Sequence, residues 1–151
     1  MVLGLAFHIL AAVIWVGGMF FAHMVLRPSA GKLDSATRLT LWARVLGRFF
    51  SWVWLSVAAL LVSGFAMVMV GFGGFTALGH YINVMMAVGI VMMLLFGHVF
   101  FGPFKRFRRA VAAADWSEAE RNIRQIRILV MVNLLLGLVT VVVGASGRYI
   151  G

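Results

Sequence analysis

From Met1 to Leu26 the chain carries no Asp, Glu, Lys or Arg, and Arg27-Pro28 then interrupts the run with a charge and a helix break. A bilayer core is crossed by about 20 apolar residues in helical form, so the pattern predicts a first span over 2–26. The polar connection that follows holds Lys32, Asp34, Arg38, Arg44 and Arg48, with Asp34 or Ser35 placed to cap the helix leading onward. Between Phe49 and Phe104 there is again no Asp, Glu, Lys or Arg, a length that requires two crossings. Gly71-Phe72-Gly73-Gly74 supplies the turn between them. The second span is expected over 49–70 and the third over 81–102, both apolar on every side. Pro103 and the cluster Lys105, Arg106, Arg108 and Arg109 close the third. Asp115-Trp116-Ser117-Glu118 reads as a capped helix start, with Glu120 and Arg124 spaced for a surface pair. The fourth span is expected over 126–147, ending at Arg148.

Loop charge orients these spans. The connections after the first and third spans are basic, and that between the second and third has no Lys or Arg. The positive-inside rule puts both basic connections in the cytoplasm and both termini on the outer, periplasmic side. Short connections favour an up-down-up-down order, so the fold class expected is all-α, an integral membrane four-helix bundle formed by residues 1–151 as one domain.

Composition agrees with this pattern: 64% hydrophobic against 11% charged residues is a membrane-protein balance. The first segment lacks the basic flank and small-residue cleavage site of a signal peptide and reads as a retained helix. A net charge of +9 would suggest nucleic acid in a soluble protein. Here the basic residues sit between apolar runs and set topology, so no nucleic-acid partner is expected. Without cysteine, a metal must use His, Met or oxygen donors.

The candidate chemistry lies in four histidines, because an ionisable ring within a span is a functional hypothesis by default. With this topology His8 and His80 lie near the outer face, and His23 and His98 near the inner face. At 1.5 Å per residue the two rings of the first span are roughly 22 Å apart in depth, and those of the third roughly 27 Å. Counting back from His98 by the first-span spacing reaches Asn83, so His23 with His98 is the better-matched pair and His8 with His80 the weaker one. Two imidazoles facing across a bundle can ligate a haem b iron, and the same geometry can hold copper. Gly17, Gly18 and Ala22 with Gly89 and Gly97 would leave room for a macrocycle, and Trp15 is placed to wall it. Arg27, Arg44 and Arg48 could clamp propionates at the inner layer and Arg148 could serve the outer one.

Each feature also has a plainer reading. Histidines near span ends are often interfacial residues satisfied by water, and glycines mark close helix packing. Met85 with Met92 and Met86 with Met93 stand one heptad apart around Gly89; thioethers bind Cu(I), yet Met is more often a flexible apolar filler. Asn133, Gly137, Thr140 and Gly144 form a small, polar stripe on the fourth span that suits a helix contact or a homodimer, and Ser56, Ser63 and Gly64 on the second read likewise.

His8-Ile-Leu-Ala-Ala-Val-Ile-Trp15-Val-Gly17-Gly18, Arg48-Phe-Phe-Ser-Trp-Val-Trp54, Phe96-Gly-His98 with the basic run after Pro103, and Asn133-Leu-Leu-Leu-Gly137 through Gly147-Arg148-Tyr149 together resemble the CopD-like (copper resistance protein D) family of bacterial inner-membrane proteins. There is more distant similarity to HemJ-type protoporphyrinogen oxidases, small membrane proteins that bind haem b. The first resemblance implies copper resistance or uptake; the second implies haem and tetrapyrrole oxidation. The HemJ pattern has a His and a Lys early in the third span, where this chain has Asn83 and no lysine.

The sequence reading is thus a multi-pass protein of the bacterial inner membrane binding one or two haem b groups. It ligates through His23, His98, His8 and His80, in an electron-transfer role or as a haem-dependent oxidoreductase, with a redox partner or quinone. The alternatives are a copper transport or resistance protein using His and Met, and a non-catalytic membrane partner subunit.

Overall fold

The computed structural model describes residues 2–149, without the side chains of Ala77 and Arg148. Four helices long and apolar enough to cross a membrane account for most of it. They are α1 Val2–Ala30, α2 Ser35–Gly71, α3 His80–Phe101 and α5 Trp116–Ser146, with a short α4, Pro103–Ala112, continuing α3 past a break at Gly102. No strand occurs among the described residues. One wide π turn interrupts α1 at Ala22–Leu26, and another ends α2 at Met67–Gly71.

The apolar runs fall within helices that begin well before them. Asp34 accepts a hydrogen bond from the Thr37 amide at 3.0 Å, and α2 runs on from Ser35 through the basic connection. Leu39, Trp42, Leu46 and Phe50, at helical spacing, bury one continuous stripe across that boundary. In α5, Asp115 accepts from the Glu118 amide at 3.0 Å, and Ala119, Ile123 and Ile126 bury a matching stripe. Loss of charge therefore marks where lipid begins, while the caps mark where the helices begin. Glu120 does not pair with Arg124: it pairs with Arg38 of α2, and Glu118 takes Arg121. A cross-helix partner on the neighbouring polar extension displaces the local pair.

α1 packs against α2 and α5, and α3 against α5. α2 meets α3 through aromatic rings: Phe50 and Trp54 stand edge-on to Phe96 at 5.4 and 5.1 Å between centroids. The order round the bundle is therefore α1, α2, α3, α5, the up-down-up-down arrangement, with α1 and α3 on a diagonal. That diagonal is filled by Trp15, whose ring meets Phe96 edge-on at 6.1 Å. Large apolar side chains such as Val62 and Leu94 point outward, the distribution a lipid solvent requires.

Along α3 and α5 the contacts keep one antiparallel register. A Cβ at Gly137 would meet Met92, at Gly144 Met85, and at Gly147 Tyr81. The methionine heptad of α3 thus fills the notches of the small stripe on α5, and Val16 of α1 crowds the same Gly137. Asn133 and Gly137 are buried within one chain. Of the two readings of the stripe, helix contact or homodimer, this part takes the first, because backbones in lipid approach closest where side chains are smallest.

Both basic connections meet at one end. Besides the Arg38–Glu120 pair, Arg106 donates through Nε to Asn122 Oδ1 at 3.0 Å and through Nη2 to Gln125 at 3.2 Å. α4 turns Phe104, Phe107 and Ala110 inward and Lys105, Arg106, Arg108 and Arg109 outward.

Candidate functional site

The four histidines fall into distinct surroundings. His8 lies half-buried between α1 and α2 at the uncharged end, where its Nδ1 is 2.9 Å from Ser63 Oγ. The ring sits over Gly64, where a Cβ would come within 3.5 Å of His8 Cε1. Ser63 already directs its hydroxyl to the Ala59 carbonyl at 2.5 Å, the i−4 bond common for serine in a membrane helix. With that hydrogen committed, Ser63 accepts, and His8 Nδ1 is the donor. The proton therefore resides on Nδ1, and Nε2 keeps its lone pair. One turn outward, Met67 packs against Gly4, so His8, Ser63 and Met67 line one seam. A ring nitrogen fixed by a hydrogen bond while the other remains basic is the usual outer-shell support of a metal-binding histidine.

His23 sits on the π turn of α1 at the basic end, and its Nε2 is 3.2 Å from Arg27 Nη1. Arginine can only donate, so Nε2 is the acceptor here and is already occupied. Both side chains line a cleft closed by Trp42 of α2 and Arg127 of α5, with room for about one or two water molecules. The Arg127 guanidinium stands 5.9 Å from the Trp42 ring centroid. Arg127 was not singled out from sequence because it is the second residue of the expected fourth span; a lone charge just inside an apolar run was the available signal.

His98 is exposed on α3, and the described walls of the His23 cleft come from α1, α2 and α5 alone. His80 is exposed at the start of α3. Arg44 and Arg48 are exposed on α2, outside the cleft. The side chain of Arg148 lies outside the described residues. No group of three or more His, Cys, Asp or Glu side chains able to hold a metal occurs among the described residues.

A macrocycle needs a pocket on the scale of about 300–1,000 Å³. The central cleft, where Trp15, Met19, Phe50, Phe96 and Asn133 converge, has room for about one water molecule. Phe49 fills the space over Gly18, while Gly17, Gly89 and Gly97 face open surroundings. The residues between α1 and α3 therefore do not fit haem as they stand.

The family model for copper resistance protein D matches residues 43–146, more than half of the chain. The chain belongs to the CopD family. This multi-pass CopD-family protein carries His80, His98, Trp42, Ser63, Met67 and Arg127 within or at the edge of what the model covers, Trp42 standing one residue before it. His8, His23 and Arg27 precede it. No match was found among curated proteins or solved structures.

Proposed function

We propose that this CopD-family protein handles copper in the bacterial inner membrane, taking Cu(I) as cargo at the uncharged end of the bundle through His8 Nε2 and the Met67 thioether. The observation that carries the reading is the Ser63 hydrogen bond, which leaves His8 Nε2 with a free lone pair on the same seam where, one turn along α1, Met67 packs against Gly4. Thioether and imidazole together suit Cu(I), and two neutral donors hold an ion loosely enough to pass it on. His80, exposed at the same end, would serve the approach. We place the basic end in the cytoplasm, on the positive-inside rule. His23 has a smaller part, since its Nε2 is already engaged by Arg27.

The test is Cu(I) competition against a chromophoric chelator with protein in nanodiscs. Wild type is expected to bind one Cu(I), and His8→Ala and Met67→Leu to lose that affinity. Ser63→Ala is expected to weaken it by about 10–100-fold, the usual effect of removing an outer-shell partner. Binding unchanged in His8→Ala would overturn the site. An intense haem absorption band in the purified protein would restore the haem reading.

A further inference from the structure

The cleft at the basic end contains hydrogen-bond donors that lack acceptors. Trp42 is 4% exposed, and its Nε1 has no partner among the described residues. Arg127 Nε is buried and equally unpartnered. Indole and guanidinium can only donate, so neither can satisfy the other. Arg27 adds a second guanidinium to the same walls, and His23 turns its acceptor nitrogen toward Arg27. The nearby carboxylate, Glu120, is already paired with Arg38. An exposed guanidinium and a half-buried one thus line the same cleft as two buried N–H groups, and none of the residues lining it is an anion. Buried donors in native proteins are almost always paired, so the arrangement implies an acceptor from outside the chain.

Its depth indicates the source. Arg27 is the first charge after the apolar run of α1, and Arg127 is the last before that of α5, which is then free of charge to Ser146. The cleft therefore lies at the level where the hydrocarbon core gives way to phosphate headgroups. Basic pockets between helices at that level suit anionic headgroups, and guanidinium is well shaped for phosphate oxygens.

We propose that the cleft formed by Arg27, Trp42 and Arg127 takes one phosphate oxygen of an anionic phospholipid in the leaflet at the basic end, the rest of the headgroup staying at the mouth beside the exposed Arg27. Arg127 and Arg27 supply the charge and Trp42 Nε1 a fixed neutral donor. This site is independent of copper binding at the opposite end.

The experiment is native mass spectrometry of the full chain released from nanodiscs containing phosphatidylcholine with graded phosphatidylglycerol. Wild type is expected to retain one phosphatidylglycerol at least ten-fold in preference to phosphatidylcholine. Arg127→Gln should reduce the preference about ten-fold. Trp42→Phe, which keeps the ring and removes only the donor, should reduce it several-fold and tests the proposal even if Arg127→Gln fails to fold. Arg124→Gln, one turn away and outside the cleft, controls for general surface charge and should leave the preference intact. A separate titration adds inorganic phosphate to protein in pure phosphatidylcholine. Saturable phosphate binding that displaces phosphatidylglycerol would keep the oxyanion site but assign it to free phosphate. Equal retention of both lipids together with no phosphate binding, unchanged binding in Trp42→Phe, or an equal loss in Arg124→Gln would overturn the proposal.

Discussion

At the scale of single residues, identical side chains have different roles according to what each faces. Gly17 faces open surroundings, whereas a Cβ at Gly137 would lie 2.8 Å from Val16 Cγ2 and 3.1 Å from Met92 Cε. Gly17→Ala should be neutral or stabilising by up to about 1 kcal/mol, because alanine is the better helix former. Gly137→Ala should cost about 1–3 kcal/mol through overpacking against a rotamer-restricted valine. Thermal unfolding of the two variants in one detergent checks the pair, and equal midpoints would show that the α1–α5 approach is looser than described. The sequence made the depth of His8 legible but not its partner. Ser63 lies 55 residues away, and only a three-dimensional register between α1 and α2 brings them together. Trp42 likewise reads as part of a connection, because its neighbours in the cleft, Arg127 among them, arrive from other helices.

At the scale of elements, the number of spans could be read from charge and length, the turn between α2 and α3 from its glycines, and the Asp34 and Asp115 caps from residue type. Helix lengths could not, since the polar extensions of α2 and α5 are stabilised by one another through Arg38 and Glu120 rather than by lipid. Asp34, outside the spans, supplies a pH test. The hydrogen bond from the Thr37 amide holds its carboxyl below the usual range. A depressed value means that the cap's contribution is complete above the unfolded-state pKa and is lost as pH falls through the folded one. Asn caps without titrating. Wild type should therefore lose more thermal stability than Asp34→Asn as the solution is acidified through the carboxylate range, and superimposable pH curves would show that the cap contributes nothing.

At the scale of the whole molecule, the charge asymmetry makes a prediction about orientation. The chain has no cysteine, so single cysteines can report sidedness without background. Thr76→Cys, in the turn between α2 and α3, should react with a membrane-impermeant maleimide in intact cells. Lys32→Cys and Ser117→Cys should react only after lysis. The opposite pattern would reverse the bundle and place the Arg27–Trp42–Arg127 cleft in the outer leaflet.

Two of the glycine notches in the bundle are met by methionine alone: Gly4 by Met67 and Gly144 by Met85. A thioether swings through several rotamers at little cost, unlike a branched side chain in the same socket. These seams therefore behave as compliant joints, able to slip by a fraction of an ångström without breaking. An oxidant that turned those sulfurs into sulfoxides would wedge the joints apart at the points where the helices lie closest.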